Sequence, residues 1–307
     1  MKRYYYEGKL LSSPSNVSTL QSRTALEEAC ERGTVLEGVC EMCDKEHNLH
    51  INLGVMKGII ERNEGALGIE SGQMKDIALI SKVGKPVQFI ITSFEKDENG
   101  DTFALLSRKA VQAKCAEQYI KELACGDIVE AKITHLERFG AFVDIGAGIN
   151  SLIPIDMLSV SRISYPSQRV REGEVVRAVV KNKDNSKITL SMRELLGTWE
   201  ENAAKFNVGE TVRGIVRSVE SYGVFIELTP NLAGLAEYNP DLRAGQAVSV
   251  YIKTIIKEKM KIKLSVIDSF SENTAHEPLR YFINSEHIDY WRYSPEECEK
   301  LIESVFE

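Results

Sequence analysis

Long apolar runs are missing from these 307 residues: stretches such as Ile77–Ile80 are the rule, whereas a membrane-spanning helix needs about 20 apolar residues in succession. No membrane partner is therefore expected. The first fifteen residues have charge but no apolar centre, so they are not expected to act as a secretory signal. A cytoplasmic chain is the expectation, and its six cysteines then read as free thiols rather than a disulfide framework.

Catalytic signatures are equally scarce. There is no His-Glu-x-x-His, and Gly84-Lys85 runs straight into Pro86, which rules out a phosphate-cradling glycine loop. The five histidines fall in no recognisable spacing with a Ser or Cys nucleophile. Cys40-Glu-Met-Cys43, followed by His47 and His50, has the residue types of a zinc site. It lies across one expected strand and turn, however, which would send Cys40 and Cys43 to opposite faces. No metal, no cofactor and no enzymatic activity are expected.

What is present is charge, unevenly spread. The net charge is −7, which by itself argues against a nucleic-acid partner. Yet residues 267–307 hold 10 acidic and 3 basic groups, while residues 205–266 hold 9 basic and 6 acidic. The body is near neutral, and local stripes decide binding more than the global sum.

The chain also repeats itself. Val129–Pro154 and Val212–Glu237 align without a gap at an offset of 83 residues, placing Phe139, Gly140 and Phe142 on Tyr222, Gly223 and Phe225, and Asp144 on Glu227. Both copies continue into a Gly-led strand and close on KITLS (Lys187 to Ser191) or KIKLS (Lys261 to Ser265). The third copy lacks a counterpart of Ser159–Arg171. A degenerate first copy opens at Gly33 and closes on Ala104–Arg108.

Each copy offers five strand-sized segments rich in Val, Ile and Phe and punctuated by Gly, the pattern of a small closed barrel. Helices are expected between copies and before them, at about Ser18–Arg32, Val111–Leu123 and Arg193–Phe206. At the C-terminus, Ser294-Pro-Glu-Glu reads as a capping box ahead of a helical stripe of Cys298, Leu301, Ile302 and Val305. The aromatic stretch His287–Tyr293 before it is expected to pack on the third barrel rather than to form a free acidic hook.

The expected organisation is all-β modules with connecting helices: an N-terminal segment and helix (1–32), a degenerate repeat (33–110), a linker helix (111–124), a second repeat (125–192), a second linker helix (193–206), a third repeat (207–267), and an acidic aromatic tail with a C-terminal helix (268–307).

The stretch Glu137-Arg-Phe-Gly-Ala-Phe-Val-Asp-Ile-Gly, the variant SYGVFIEL and the closing ITLS and IKLS resemble the signature of the S1-type RNA-binding domain family, named after ribosomal protein S1. The tandem set is similar to short bacterial S1-like proteins. The resemblance implies three five-stranded OB-type barrels, each binding single-stranded RNA on one face. It also implies a basic, RNA-facing residue at Lys187 and Lys261. Two departures stand out: Pro154 and Glu237 occupy a position where the family commonly has a histidine, and repeat one has Glu46 or His47, and His50, in place of the rings.

The residues agree with that implication. Phe139 and Phe142 are three apart, so a plain strand would send them to opposite faces. Gly140 would permit a bulge that returns both rings to one side. Tyr222 and Phe225 repeat the arrangement. Exposed rings on a strand make a stacking platform worth about 1–3 kcal/mol per base. Lys261 and Lys263, with Lys181, Lys183, Lys253, Lys257 and Lys259 nearby, would attract phosphate. The expected function is non-catalytic binding of single-stranded RNA, messenger RNA in particular, in translation on or near the ribosome. The alternative is a protein-interaction adaptor docking on the ribosome or an RNA-processing machine.

Overall fold

The computed structural model describes residues 4–184, 187–270 and 278–306. Three closed five-stranded barrels account for most of them. The first comprises β1 (Leu36–Cys43), β2 (Leu49–Asn52), β3 (Lys57–Ile60), β4 (Pro86–Lys96) and β5 (Thr102–Ser107). The second comprises β6 (Ile128–Glu137), β7 (Gly140–Asp144), β8 (Asn150–Pro154), β9 (Val175–Asp184) and β10 (Lys187–Ser191). The third comprises β11 (Thr211–Glu220), β12 (Gly223–Thr229), β13 (Leu232–Ala236), β14 (Ala247–Ile256) and β15 (Lys261–Phe270).

All three share one topology: the first strand pairs with the second and fourth, and the fifth lies between the third and fourth. The third and fifth strands run parallel, as in Leu235 opposite Lys263. This is the OB-type closure. Alternation fills each interior: Ala141 and Val143, and likewise Val224 and Ile226, are fully buried.

The chain divides into two compact units, residues 1–123 with 144–150, and residues 124–143 with 151–307. The first unit carries the first barrel and helices α1 (Pro14–Leu20), α2 (Arg23–Arg32), α3 (Ile77–Ile80) and α4 (Arg108–Cys115). The one helix expected before Gly33 is thus two. Ser13 accepts from the Asn16 N–H at the start of the first, and Ser22 accepts from the Ala25 N–H at the start of the second. Gly33 ends the second in the left-handed region, φ 59°. Helix α4 opens earlier than the apolar spacing implies, because Ser107 caps it by accepting from the Ala110 N–H at 2.9 Å.

The second unit carries the other two barrels, α5 (Trp199–Ala203) and the tail. The helix expected over Arg193–Phe206 is interrupted at Gly197, whose φ of 86° breaks it. A capping box of Thr198 and Glu201 then restarts it. Residues 159–171, absent from the third repeat, have a structural task. The Val160 N–H donates to Asn231 Oδ1 at 2.9 Å and the Ser161 N–H to the Pro230 carbonyl at 3.2 Å, fastening this insertion to the third barrel.

The C-terminal helix does not form. Tyr290–Arg292 (β16) and Glu303–Val305 (β17) pair as a two-stranded antiparallel sheet. Ser294 does not cap a helix; its hydroxyl donates to the Lys300 carbonyl at 2.6 Å and accepts from the Ile302 N–H at 2.8 Å, closing the loop between the strands. Burial explains the choice. Trp291 and Tyr293 alternate inward and join the third barrel's apolar cluster, while Phe306 packs with Ile128, Val179 and Leu195. The tail is docked over its residues 281–306, as its aromatic content implies, and it reaches residues of the second barrel as well as the third.

Candidate nucleic-acid interface

The paired rings come together in both later repeats, by a route other than a bulge. Strands β7 and β12 begin at Gly140 and Gly223, so Phe139 and Tyr222 precede the strand in the hairpin turn and only Phe142 and Phe225 are strand residues. The turn, not an inserted strand residue, brings each pair to one side. Glycine is required for a different reason. A Cβ on Gly140 would stand 2.4 Å from the Ile153 carbonyl oxygen, and one on Gly223 would stand 2.6 Å from that of Ala236. The strand start must pass close against the third strand.

Phe139 and Phe142 meet edge to face with centroids 5.9 Å apart and planes at 87°. Tyr222 and Phe225 repeat this at 6.1 Å and 86°. The turn rings are open to solvent, 55% exposed for Phe139 and 68% for Tyr222, while their strand partners are half-buried. An edge-to-face pair leaves the face of the outer ring free to stack.

Register extends the platform in the third barrel. Phe225 lies opposite Ser218 on one side and Leu235 on the other. Leu235 lies opposite Lys263, which lies opposite Thr254. Lys261 stands two residues before Lys263 and is exposed like it, so both lysines lie on the outward face of the strand next to Leu235. In the second barrel Leu152 lies opposite Thr189, with the exposed Lys187 two residues before it. Leu235 and Leu152 belong to this surface and were missed in the sequence. Alternation marks them as outward-facing, but the antiparallel register that sets Leu235 beside Phe225 and the parallel pairing that sets both leucines beside the closing strands are long-range.

The other expected lysines divide. Lys253 is held by Glu237 at 2.9 Å, which draws the Glu237 carboxyl below its usual range. Lys257 is shared by Glu200 at 2.6 Å and Glu297 at 3.2 Å, and Lys181 covers the Phe306 ring at 4.8 Å. Lys187, Lys261 and Lys263 make no ion pair among the described residues.

In the first barrel, register puts His50 where Phe225 stands. Met42 pairs with His50 after a bulge, as Ser218 pairs with Phe225 after a bulge. His47, with φ 66°, takes the turn position. In place of a ring pair, Asp44 organises this turn, accepting from the Asn48 N–H at 2.8 Å and bonding His50 Nε2 at 3.0 Å. The same bulge corrects the expectation for the cysteines. Cys40 and Cys43 do not face apart; both pack on the first barrel's core. Burial raises both thiols above their usual range.

Comparison with known proteins agrees with this geometry. The family model for the S1 RNA binding domain matches residues 122–193. The second repeat, with its flanking residues, is thus an S1 RNA binding domain. Relatives of the chain include the small ribosomal subunit protein bS1 homolog of Bacillus subtilis, 31% identical over 60% of this chain and 52% of that protein. Another is the Bacillus cereus homolog, 30% identical over 69% of this chain and 56% of that one. The bS1 protein of Staphylococcus epidermidis is 29% identical over 84% of this chain and 68% of its own length. The chain spans about half the length of the first two. The matched S1 segment is the second repeat with its flanking residues, and the third repeat reproduces its ring pair and strand order. No helix among the described residues is long and apolar enough to cross a membrane.

Proposed function

We propose that this chain binds single-stranded RNA, messenger RNA in particular, without catalysis, in the cytoplasm and in translation on or near the ribosome. One observation carries the reading: the same edge-to-face aromatic pair, with its outer ring open, occurs at the same hairpin in two barrels. Rings with open faces stack on any base, and Lys187, Lys261 and Lys263, with no ion pair among the described residues, supply phosphate attraction beside them. The bS1 relatives are named as ribosomal-subunit proteins, which supports the ribosomal setting. Two weak platforms in one compact unit raise each other's effective concentration.

Titration of a labelled single-stranded RNA into the full chain at graded salt tests this. The reading requires binding whose logarithm falls linearly with the logarithm of salt concentration. Absence of RNA binding, together with co-purification of one protein after nuclease treatment, would contradict it and favour the adaptor.

A further inference from the structure

The second unit holds a cleft of about 640 Å³, walled by the 159–171 insertion, the β11 and β12 strands and residues 278–282 of the tail. Its lining is strongly cationic. Arg169 and Arg217 share the one carboxylate there, Glu227, each through two hydrogen bonds of 2.7–2.9 Å. Four more cations have no carboxylate partner among the described residues: Arg171, Lys205, Arg213 and Arg280. Lys205 and Arg280 both lie over the Phe282 ring, at 4.6 and 5.8 Å, which holds them in the cleft. Burial and then Arg280 pull the Lys205 ammonium below its usual range, against a smaller opposing pull from Glu201.

The cleft also continues the platform. Glu227 stands two residues beyond Phe225 on β12, so the arginine-covered floor begins about 7 Å along the same strand face. Ser218, opposite Phe225, directly follows Arg217.

We infer that this cleft is a phosphate-binding subsite that takes the backbone of a single RNA strand as it leaves the Tyr222–Phe225 platform. This rests on the RNA-binding reading above and adds a second, purely electrostatic contact to it.

Binding of two oligouridylates to the full chain tests it, one of about four nucleotides that covers a platform only and one of about twelve that reaches further. Arg213→Gln with Arg280→Gln removes two exposed cations and leaves the Glu227 cluster intact. The longer RNA is expected to bind this variant at least tenfold more weakly, with its salt slope reduced by about 1.4, while the shorter one is unaffected. Arg171→Gln with Lys205→Gln should do the same, and thermal melting confirms that both variants fold. If both RNAs bind wild type and the variants alike, the subsite is refuted and the platform reading stands. If wild type binds neither RNA, both fall. Inorganic tripolyphosphate separates the sources: its binding, lost in the variants while RNA binding is unmoved, would assign the cleft to a free polyphosphate and overturn the RNA assignment.

Discussion

Arg169 of the second repeat and Glu227 of the third form a buried, two-pronged ion pair, with Nη1 2.9 Å from Oε1 and Nη2 2.7 Å from Oε2. Arg217 grips the same carboxylate from its own barrel. Burial alone would raise the Glu227 carboxyl, but the two guanidinium groups draw it below its usual range. The later repeats are therefore joined by a charge cluster as well as by chain connectivity. Glu227→Gln leaves two buried guanidinium groups facing a neutral amide. A loss of about 3–5 kcal/mol is expected, read as a lower urea midpoint. An unchanged midpoint would mean that the cluster contributes nothing to holding the barrels together.

A second charge cluster governs acid stability in the first unit. Burial would raise the Glu7 carboxyl, but Arg108 at 2.7 Å and Lys82 at 2.6 Å overcome it and bring it from 4.5 to about 2. A depressed carboxyl contributes stability that is complete above its unfolded value and is lost as pH falls toward its folded one. The stability advantage of wild type over Glu7→Gln should thus be full above about pH 4.5 and shrink progressively toward pH 2. Unfolding midpoints of the two proteins across that range check this; an advantage independent of pH would contradict it.

The tail should be a structural strap. Tyr293 is buried in the third barrel's cluster and its hydroxyl donates to the Asn231 carbonyl at 2.5 Å. Tyr293→Ala is expected to cost about 3–5 kcal/mol and Tyr293→Phe about 1 kcal/mol, by denaturant unfolding. Rapid proteolysis near Trp291 in the wild-type chain would show the tail to be free instead.

The first barrel should contribute little stacking, since His47 and His50 hold the ring positions and Asp44 engages His50. Changing both histidines to alanine is expected to leave RNA affinity unchanged. A clear loss would show that repeat one has its own base-binding site.

Much of this was legible because the chain repeats. The offset of 83 residues puts Tyr222 and Phe225 on Phe139 and Phe142, and shared closing strands imply shared topology. Features that depend on distant partners were not legible. Lys257 belongs to a basic run by sequence, yet Glu200 and Glu297 neutralise it from elsewhere in the chain. Ser294 has the local pattern of a helix cap, but burial of Trp291 and Tyr293 fixes the tail as a strand pair. The two rings of each pair do meet, but a turn, not a bulge, brings them together. Arg169 lies in an insertion whose role depends on Glu227, 58 residues further along the chain.

The account stands most directly on the two turn rings. Phe139→Ala with Tyr222→Ala removes side chains 55% and 68% exposed, so the melting temperature should barely move. Two lost stacks amount to about 2–6 kcal/mol if the modules act together, so affinity for single-stranded RNA should fall at least tenfold. A folded double variant that binds RNA as tightly as wild type would contradict the stacking platform.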